Sequence, residues 1–415
     1  MPRKKKPGYW HHKPSGQAYV RIGGKDIYLG PFDSPESRSR YDELIVAWTM
    51  SQNVDRHTLR IDELALKYLA HAREHYRKDG CETSEVVAVR GCLRVLVAVA
   101  GDLLARDFGP LKLQEVRGAM IALGWKRKAI NKQIGRIRRC FQWAVQNELI
   151  APDTLVALGT VPGLRQGRSD AVESVPVMPV SDDAVYAVRP FVSRQVWAMI
   201  QLQRVSGCRP GEATQMRGCD ITVAGQLWEY RPESHKTQHH GKERIIVLGP
   251  KAQEIIREFL RADTTSFLFS PADAREEFDE KRRANRRTPT TPSQQSRTRK
   301  SKPTRKPGLR YTTGSYGQVI RKACEVAFDM PRELRNISTK LPEAEREGLK
   351  AQAREWRETH CWHPHQLRHT AATEIRRTFG TEAAQVVLGH ASLSVTEVYA
   401  ERDLKLAERV MQQLG

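Results

Sequence analysis

Apolar side chains recur at helical spacing through residues 56–165, and this pattern constrains the fold more than any other feature of the chain. Three stripes begin at Ile61, Val86 and Ile130, and each continues with apolar residues three or four positions apart. Amphipathic helices of this kind need to bury their apolar faces against one another. Residues 56–165 are therefore predicted to form an all-α domain.

The sequence on either side predicts further domains. A chain of 415 residues is too long for one ordinary domain. Residues 166–180 belong to a stretch with Gly, Pro, Ser and polar side chains, as expected of a linker. Helical segments and short strands follow through residues 181–415 and predict an α+β domain. The expected fold class is therefore multidomain, mainly α-helical with small β-sheets.

The charge of the chain indicates what it binds. It contains 69 Lys and Arg residues against 48 Asp and Glu residues, a net charge of +21. Such an excess argues for a polyanion, and nucleic acid is favoured over a membrane because no apolar run approaches ~20 residues. The helix around the third stripe concentrates this charge, although a solvated helix face is the alternative. Its candidate DNA contacts are Lys126, Lys128, Lys132, Arg136 and Arg139.

Residues 1–55 alternate between apolar and polar side chains, which is typical of strands. Gly23-Gly24 supplies a hairpin turn within residues 17–29, and residues 8–12 can add a third strand. Ser34 is a candidate N-cap of a following helix. We therefore predict a small β-rich module with one helix, whose polar face enters a DNA groove through Tyr19, Arg21 and Lys25. A small docking or folding module is the alternative.

The seven cysteines bear on the cellular compartment. They are widely spaced and form no C-x-x-C pair, which favours reduced thiols over a disulfide framework or a zinc ribbon. The basic start, residues 1–6, has no apolar segment behind it, so we expect no secretory signal. The expected location is therefore the cytoplasm, without membrane contact.

Residues 181–415 contain strands, a basic insertion and a charged helix. Strands are predicted at 226–231 and 243–248, with a hairpin between them, and a shorter strand at 267–269. Residues 271–308 are rich in Arg, Lys, Thr, Ser and Pro and have almost nothing apolar to bury. We expect this insertion to be disordered or to become ordered on DNA.

Several residues in this last domain are able to handle a phosphate group. Arginine donates to two phosphate oxygens at once, histidine moves a proton near neutral pH, and a tyrosine hydroxyl can act as a nucleophile. Each residue alone is a weak signal. The candidates are Arg209 in Gly207-Cys208-Arg209-Pro210-Gly211-Glu212, Lys236 in Ser234-His235-Lys236-Thr237, His365 and Arg368 in His365-Gln366-Leu367-Arg368-His369-Thr370, His390 in Leu388-Gly389-His390, and Tyr399.

In order and spacing these motifs resemble the tyrosine recombinase (phage integrase) family. The resemblance covers roughly 175–415, and residues 56–165 are similar in architecture to the core-binding (SAM-like) domain of that family. Residues 1–55 are similar only in kind to its arm-site-binding modules. Gln366 stands where the family often has an acidic residue, and the insertion at 271–308 is unusual.

The resemblance implies a mechanism. Tyr399 would attack a DNA phosphate to give a 3′-phosphotyrosyl enzyme and a free 5′-hydroxyl. Arg209 and Arg368 would bracket the non-bridging oxygens. Lys236 would protonate the leaving oxygen, and His365 would assist proton transfer at Tyr399.

Two more residues complete the implied site. His390 would hydrogen-bond the phosphate, and Glu212 would orient Arg209 or His365. Lys242 is the alternative for the lysine role. Neither a metal nor another cofactor is expected, since the arginines supply positive charge. A zinc site is a less favoured alternative, with possible ligands in His360, Cys361, His363, His365 and His369 or in His239 and His240.

The expected function is therefore site-specific recombination of double-stranded DNA, by integration or excision of a mobile element. The resemblance implies a tetramer on DNA, held by a C-terminal helix at 403–415, from a monomer or weak oligomer in free solution. A DNA-bending accessory protein is a possible partner. The alternatives are a Xer-like resolvase, a type IB topoisomerase and a non-catalytic DNA-binding protein on the same fold.

Overall fold

The computed structural model describes residues 7–22, 24–51, 58–78, 80–234, 243–289, 291–295 and 307–389. The chain divides into two compact units, residues 1–175 and residues 176–415. Among the described helices, none has both the length and the apolar character needed to cross a membrane.

The N-terminal end of the first unit is a three-stranded antiparallel sheet packed on one helix, so the predicted third strand is confirmed. The strands pair in the order β1-β2-β3. Inward-facing Ala18, Val20 and Leu29 pack with Ile45 of the helix. The backbone N–H of Ser37 donates to Ser34 Oγ at 3.1 Å, as expected for an N-cap. The elements are β1 (Tyr9–His12), β2 (Gln17–Ile22), β3 (Lys25–Pro31) and α1 (Pro35–Ser51).

The rest of the first unit is mainly helical, as the apolar stripes predicted, but it also contains one pair of two-residue strands that an all-α domain would not have. Residues from all three stripes meet in one core, including Leu64, Val89 and Ile137. Phe108 and Phe141 stack within it at a centroid distance of 4.9 Å. The elements are α2 (Ile61–His75), β4 (Arg77–Lys78), β5 (Cys81–Glu82), α3 (Ser84–Ala100), α4 (Pro110–Ala122), α5 (Arg127–Gln146) and α6 (Pro152–Gly159).

The second unit begins with helices around a small antiparallel sheet. Its elements up to residue 257 are α7 (Asp182–Ala187), α8 (Arg194–Ser206), α9 (Pro210–Thr214), β6 (Ile221–Ala224), β7 (Leu227–Tyr230), β8 (Ile246–Leu248) and α10 (Pro250–Arg257). The strand order is β6-β7-β8. The sequence predicted β7 and β8 but missed β6. At 267–269, where it predicted a strand, the structure has only an isolated bridge between Phe267 and Arg217.

The structure also differs from the prediction within the insertion. Its first part, Pro271–Ala284, forms a helix, α11, although no folded element was expected there. Ser270 caps this helix by accepting a hydrogen bond from the Ala272 N–H at 3.1 Å. Glu277 joins it to α8 through an ion pair with Arg194 at 2.9 Å. The helix forms because a cap, a proline at the first turn and strong helix formers coincide, which the overall composition of 271–308 concealed.

The remaining elements lead to the His-rich segment. They are α12 (Pro292–Gln295), α13 (Thr313–Ala327), α14 (Arg332–Arg335), α15 (Glu343–His360) and α16 (Pro364–Leu388). Helix α16 is interrupted at Gly380, whose φ of 88° is outside helical values. It ends at Gly389, a left-handed C-cap with φ 63°.

Candidate active site

Arg209 lies in a tight turn between two helices. Helix α8 ends at Gly207, which adopts the left-handed conformation with φ 64°. Arg209 is the N-cap of α9, and Pro210 occupies the first position of that helix. The carboxylate of Glu212 turns back to accept the Arg209 backbone N–H at 2.7 Å and its guanidinium Nη1 at 2.8 Å. The short helix thus fixes both the backbone and the side chain of Arg209.

The Glu212 carboxylate is buried between two arginines. Its side chain is 3% exposed, whereas that of Arg209 is 21% exposed. Oε1 also lies 3.4 Å from Nε of Arg244. Burial alone would raise the pKa of Glu212, but the charge of Arg244 and the hydrogen bonds and charge of Arg209 outweigh it and lower the pKa. Glu212 is therefore ionised at neutral pH and holds Arg209 as a charged partner.

Arg368 joins the Arg209 turn to the end of α16. Its Nη1 donates to the carbonyl of Gly207 at 2.7 Å, and its Nη2 donates to the carbonyl of Leu388 at 2.7 Å. Both carbonyls belong to helix C-terminal ends, where partial negative charge favours a cation. Arg368 is 0% exposed. Direct contact with a phosphate, which the sequence predicted, therefore requires this guanidinium to become accessible.

His365 lies one turn before Arg368 in α16 and is half-buried. Its ring meets the edge of His369 at a centroid distance of 5.2 Å. Burial lowers the pKa of His369 to about 4, with smaller contributions from the positive charges of His365, His363 and Arg368. His369 is therefore neutral near pH 7.

The described residues contain only part of the predicted set. Arg209, Glu212 and Arg368 are brought together around Gly207, and His365 follows on the helix of Arg368. Lys236, its alternative Lys242, His390 and Tyr399 lie outside the described residues, as does the predicted helix at 403–415. Within the described part of the chain, no three His, Cys, Asp or Glu side chains form a cluster able to hold a metal ion.

Sequence reasoning missed Arg244. This residue comes just before strand β8, and its side chain is 5% exposed. The signal was available in the alternation, since Arg244 falls two and four positions before the buried Ile246 and Leu248. An arginine at an inward-facing position requires a buried partner, and here that partner is Glu212.

The predicted DNA contacts divide into exposed and paired residues. Lys126, Lys128 and Lys132 are exposed on and beside α5. Arg136 and Arg139 instead both contact Glu85, at 2.6 Å and 2.8 Å. Glu85 offsets part of their charge, so the three lysines are the better candidates for phosphate contact.

In the N-terminal sheet, Tyr19 lies opposite Trp10 and Tyr28 on the outer face. Lys25 is exposed, whereas Arg21 forms a bidentate pair with Asp26, with Nε–Oδ1 at 2.5 Å and Nη2–Oδ2 at 2.8 Å. The outer face is therefore more aromatic and less positively charged than the sequence suggested.

Solved structures with the same fold are integrases and a recombinase on DNA. The Tn1549 transposon integrase with transposon right end DNA is 14% identical, with a TM-score of 0.52, 86% of this chain covered and 99% of that chain. A lambda integrase dimer bound to a COC′ core site is 13% identical, with a TM-score of 0.52 and 97% of each chain covered. The XerH site-specific recombinase bound to a palindromic difH substrate is 12% identical, with a TM-score of 0.50, 86% of this chain covered and 98% of that chain.

These likenesses show that the chain has the fold of the tyrosine recombinases. In sequence, residues 333–405 match the phage integrase family. The matched residues include α16 with His365 and Arg368. No curated protein sequence matches the chain significantly.

Proposed function

We propose that this chain is a site-specific DNA recombinase of the integrase type, which cuts and rejoins DNA strands through a 3′-phosphotyrosyl intermediate. The observation that carries the proposal is the pair of arginines around Gly207. Arg209 is held by Glu212. Arg368 donates to the carbonyl of Gly207 and to that of Leu388, the last residue of α16. The first arginine motif thus meets the C-terminal end of α16, the helix that precedes Tyr399 in the sequence.

The residues support phosphoryl transfer in a simple order. Tyr399 attacks the phosphorus and loses its proton, while the bond to the 5′ oxygen breaks and Lys236 protonates the leaving oxygen. The 5′-hydroxyl of another strand then reverses these steps, so the energy of the phosphodiester bond is kept and no ATP is needed. His365 assists proton transfer at Tyr399, and His390 hydrogen-bonds the phosphate.

Arg209 stabilises the charge on the non-bridging oxygens in this scheme. Its guanidinium is partly exposed and is held in place by an ionised, buried carboxylate, which is how a fixed cation is prepared for a phosphoryl-transfer transition state. Arg368 makes the second contact when it becomes accessible, and otherwise holds the Gly207 turn in place. Loss of one such donor is expected to reduce the rate by ~10²–10³.

The rest of the chain delivers DNA to these residues. The exposed lysines on and beside α5 contact the phosphate backbone, and the N-terminal sheet acts as an arm-type module whose outer face enters a groove. We propose a tetramer on DNA, joined by the C-terminal helix at 403–415, with cytoplasmic action on bacterial or phage DNA. The likeness to lambda integrase, which covers 97% of both chains, supports an integrase over a Xer-like resolvase.

The test is covalent trapping on a nicked suicide substrate built from DNA that flanks the gene. The wild-type protein is expected to give a protein–DNA band that survives denaturation, and Tyr399→Phe is expected to remove it. Tyr186→Phe, at an exposed tyrosine of α7, is the matched control and should keep the band. Tight DNA binding without a covalent band on any flanking sequence would refute the proposal and favour a DNA-binding protein.

Strand exchange separates a recombinase from a type IB topoisomerase. Two duplexes that carry the same cleavage site and different end labels should yield recombinant products with the wild-type protein. Relaxation of a supercoiled plasmid without such products would favour the topoisomerase.

A further inference from the structure

Arg244 is a buried cation in the second unit that none of the catalytic steps above uses. It lies two residues before strand β8, on the same face as Ile246 and Leu248. Its side chain is 5% exposed. An arginine in that position points into the unit and not toward solvent.

The guanidinium of Arg244 touches two separate segments. Its Nε lies 3.4 Å from Oε1 of Glu212, the carboxylate that also holds Arg209. Its Nη1 donates to the carbonyl of Val387 at 3.4 Å, in the last turn of α16. A single side chain therefore lies between the first arginine motif and the end of α16.

Gly389 shows how closely the two segments meet. An added Cβ at this position would lie 2.2 Å from Nη1 and 3.0 Å from Cζ of Arg244. Contact at that distance is impossible without movement of the guanidinium. The glycine is thus needed for the approach of Arg244 as well as for its own left-handed φ of 63°.

The surroundings of Arg244 limit how much its burial stabilises the fold. Burial lowers the pKa of Arg244, and although the charge of Glu212 raises it, the charge of Arg209 lowers it again. Two arginines share one carboxylate, and the buried Nη2 of Arg244 has no hydrogen-bond partner among the described residues. A buried ion pair is often no more stabilising than an apolar replacement of similar size.

We propose that Arg244 is a positioning residue for the cleavage reaction: it fixes the Arg209–Glu212 pair relative to the end of α16. Removing its charge leaves Glu212 free to move with Arg209 and loosens the last turn of α16. The inference rests on the proposed strand-transfer function and adds to it a residue outside the implied catalytic set.

The test compares cleavage rates of Arg244→Gln with those of the wild-type protein. Supporting groups of this kind typically change activity by ~10–100-fold, so a loss in that range is expected with DNA affinity unchanged. Arg244→Lys keeps the charge and should recover part of the loss. Arg357→Gln is the control, because Arg357 of α15 pairs at 2.6 Å with the buried Glu325 of α13, away from both segments.

A second substrate distinguishes positioning from a general loss of folded protein. A methylphosphonate at the mapped cleavage position replaces one charged non-bridging oxygen by a methyl group, so the transition state depends less on Arg209. The loss of cleavage rate caused by Arg244→Gln should be smaller on this substrate than on the phosphodiester. An equal deficit on both substrates, or full activity of Arg244→Gln on the phosphodiester, would overturn the proposal.

Two further results are distinguishable: a variant that does not fold and a wild-type protein that does not cleave. If Arg244→Gln does not fold, Gly389→Ala replaces it and should show the same substrate-dependent deficit, because the added Cβ displaces the guanidinium. Arg244→Lys should show a smaller deficit of the same kind. Lack of cleavage by the wild-type protein would be a failure of the proposed function. An active wild type with an equally active Arg244→Gln variant would refute only the role of Arg244.

Discussion

Replacement of Gly207 by alanine tests the contact between the Arg209 turn and the end of α16. Gly207 has a φ of 64°, and an added Cβ would lie 2.7 Å from Cδ2 of Leu388, a fully buried side chain. The left-handed backbone costs an alanine about 1–2 kcal/mol. Crowding in a packed core adds about 1–3 kcal/mol. The expected loss in the free energy of unfolding of the second unit is therefore about 2–5 kcal/mol.

Gly225→Ala is the matched control for this substitution. Gly225 lies in the same unit, in the turn between β6 and β7, and has a similar φ of 59° but no atom within 4 Å of an added Cβ. Gly225→Ala should therefore lower the free energy of unfolding only by the cost of the left-handed backbone, about 1–2 kcal/mol. The difference between the two variants measures the crowding against Leu388.

The assay is hydrogen exchange in increasing urea, read by mass spectrometry on peptides from α8 and α16. Reading each segment separately matters because a chain of two units does not have to unfold in one step. Equal losses for Gly207→Ala and Gly225→Ala would refute the reasoning. A double-mutant cycle with Leu388→Ala adds a second check, since the truncated side chain should relieve the crowding and make the two losses less than additive.

Three more predictions follow from the charges. The pKa of Glu212 is lowered by folding, so its ionised carboxylate stabilises the fold above its unfolded pKa, and this stabilisation is lost as the pH falls through the folded pKa. Glu212→Gln should therefore make the free energy of unfolding depend less on pH below pH 4.5. Burial lowers the pKa of His369 from its ordinary 6.5 to about 4, so the free energy of unfolding should fall as the pH drops from 6.5 to 4. Urea titrations of His369→Gln should show a smaller fall than those of the wild-type protein. In DNA-binding titrations, Lys128→Gln and Lys132→Gln should each lower the slope of log affinity against log salt by about 0.9, whereas Arg136→Gln should change it less.

Most of the fold could be predicted because local patterns and packing agree. Alternation at Ala18 and Val20 indicated the first sheet, and three apolar stripes indicated the helical core. Strand β6 was missed because its four residues follow a short 3-10 turn and carry too little alternation to identify. Helix α11 was missed because its helix formers were averaged with the polar residues behind them.

The sequence supplied candidate residues for the site but not their geometry. The motifs identified Arg209, Glu212 and Arg368, and the structure places all three around one turn. Sequence spacing carries no information on what a guanidinium contacts across 161 residues, so the two carbonyl partners of Arg368 were not foreseen. Arg244 was overlooked because a charged residue beside a hairpin is usually solvated, and only its alternation with Ile246 indicated burial.

The most direct test of the central claim is to identify the residue and the DNA end that become joined. The trapped protein–DNA complex would be digested with protease and nuclease, and the adduct would be located by mass spectrometry. The account predicts a nucleotide attached through its 3′-phosphate to the peptide that contains Tyr399, with a free 5′-hydroxyl on the released strand. An adduct on another residue, or attachment through a 5′-phosphate, would contradict it.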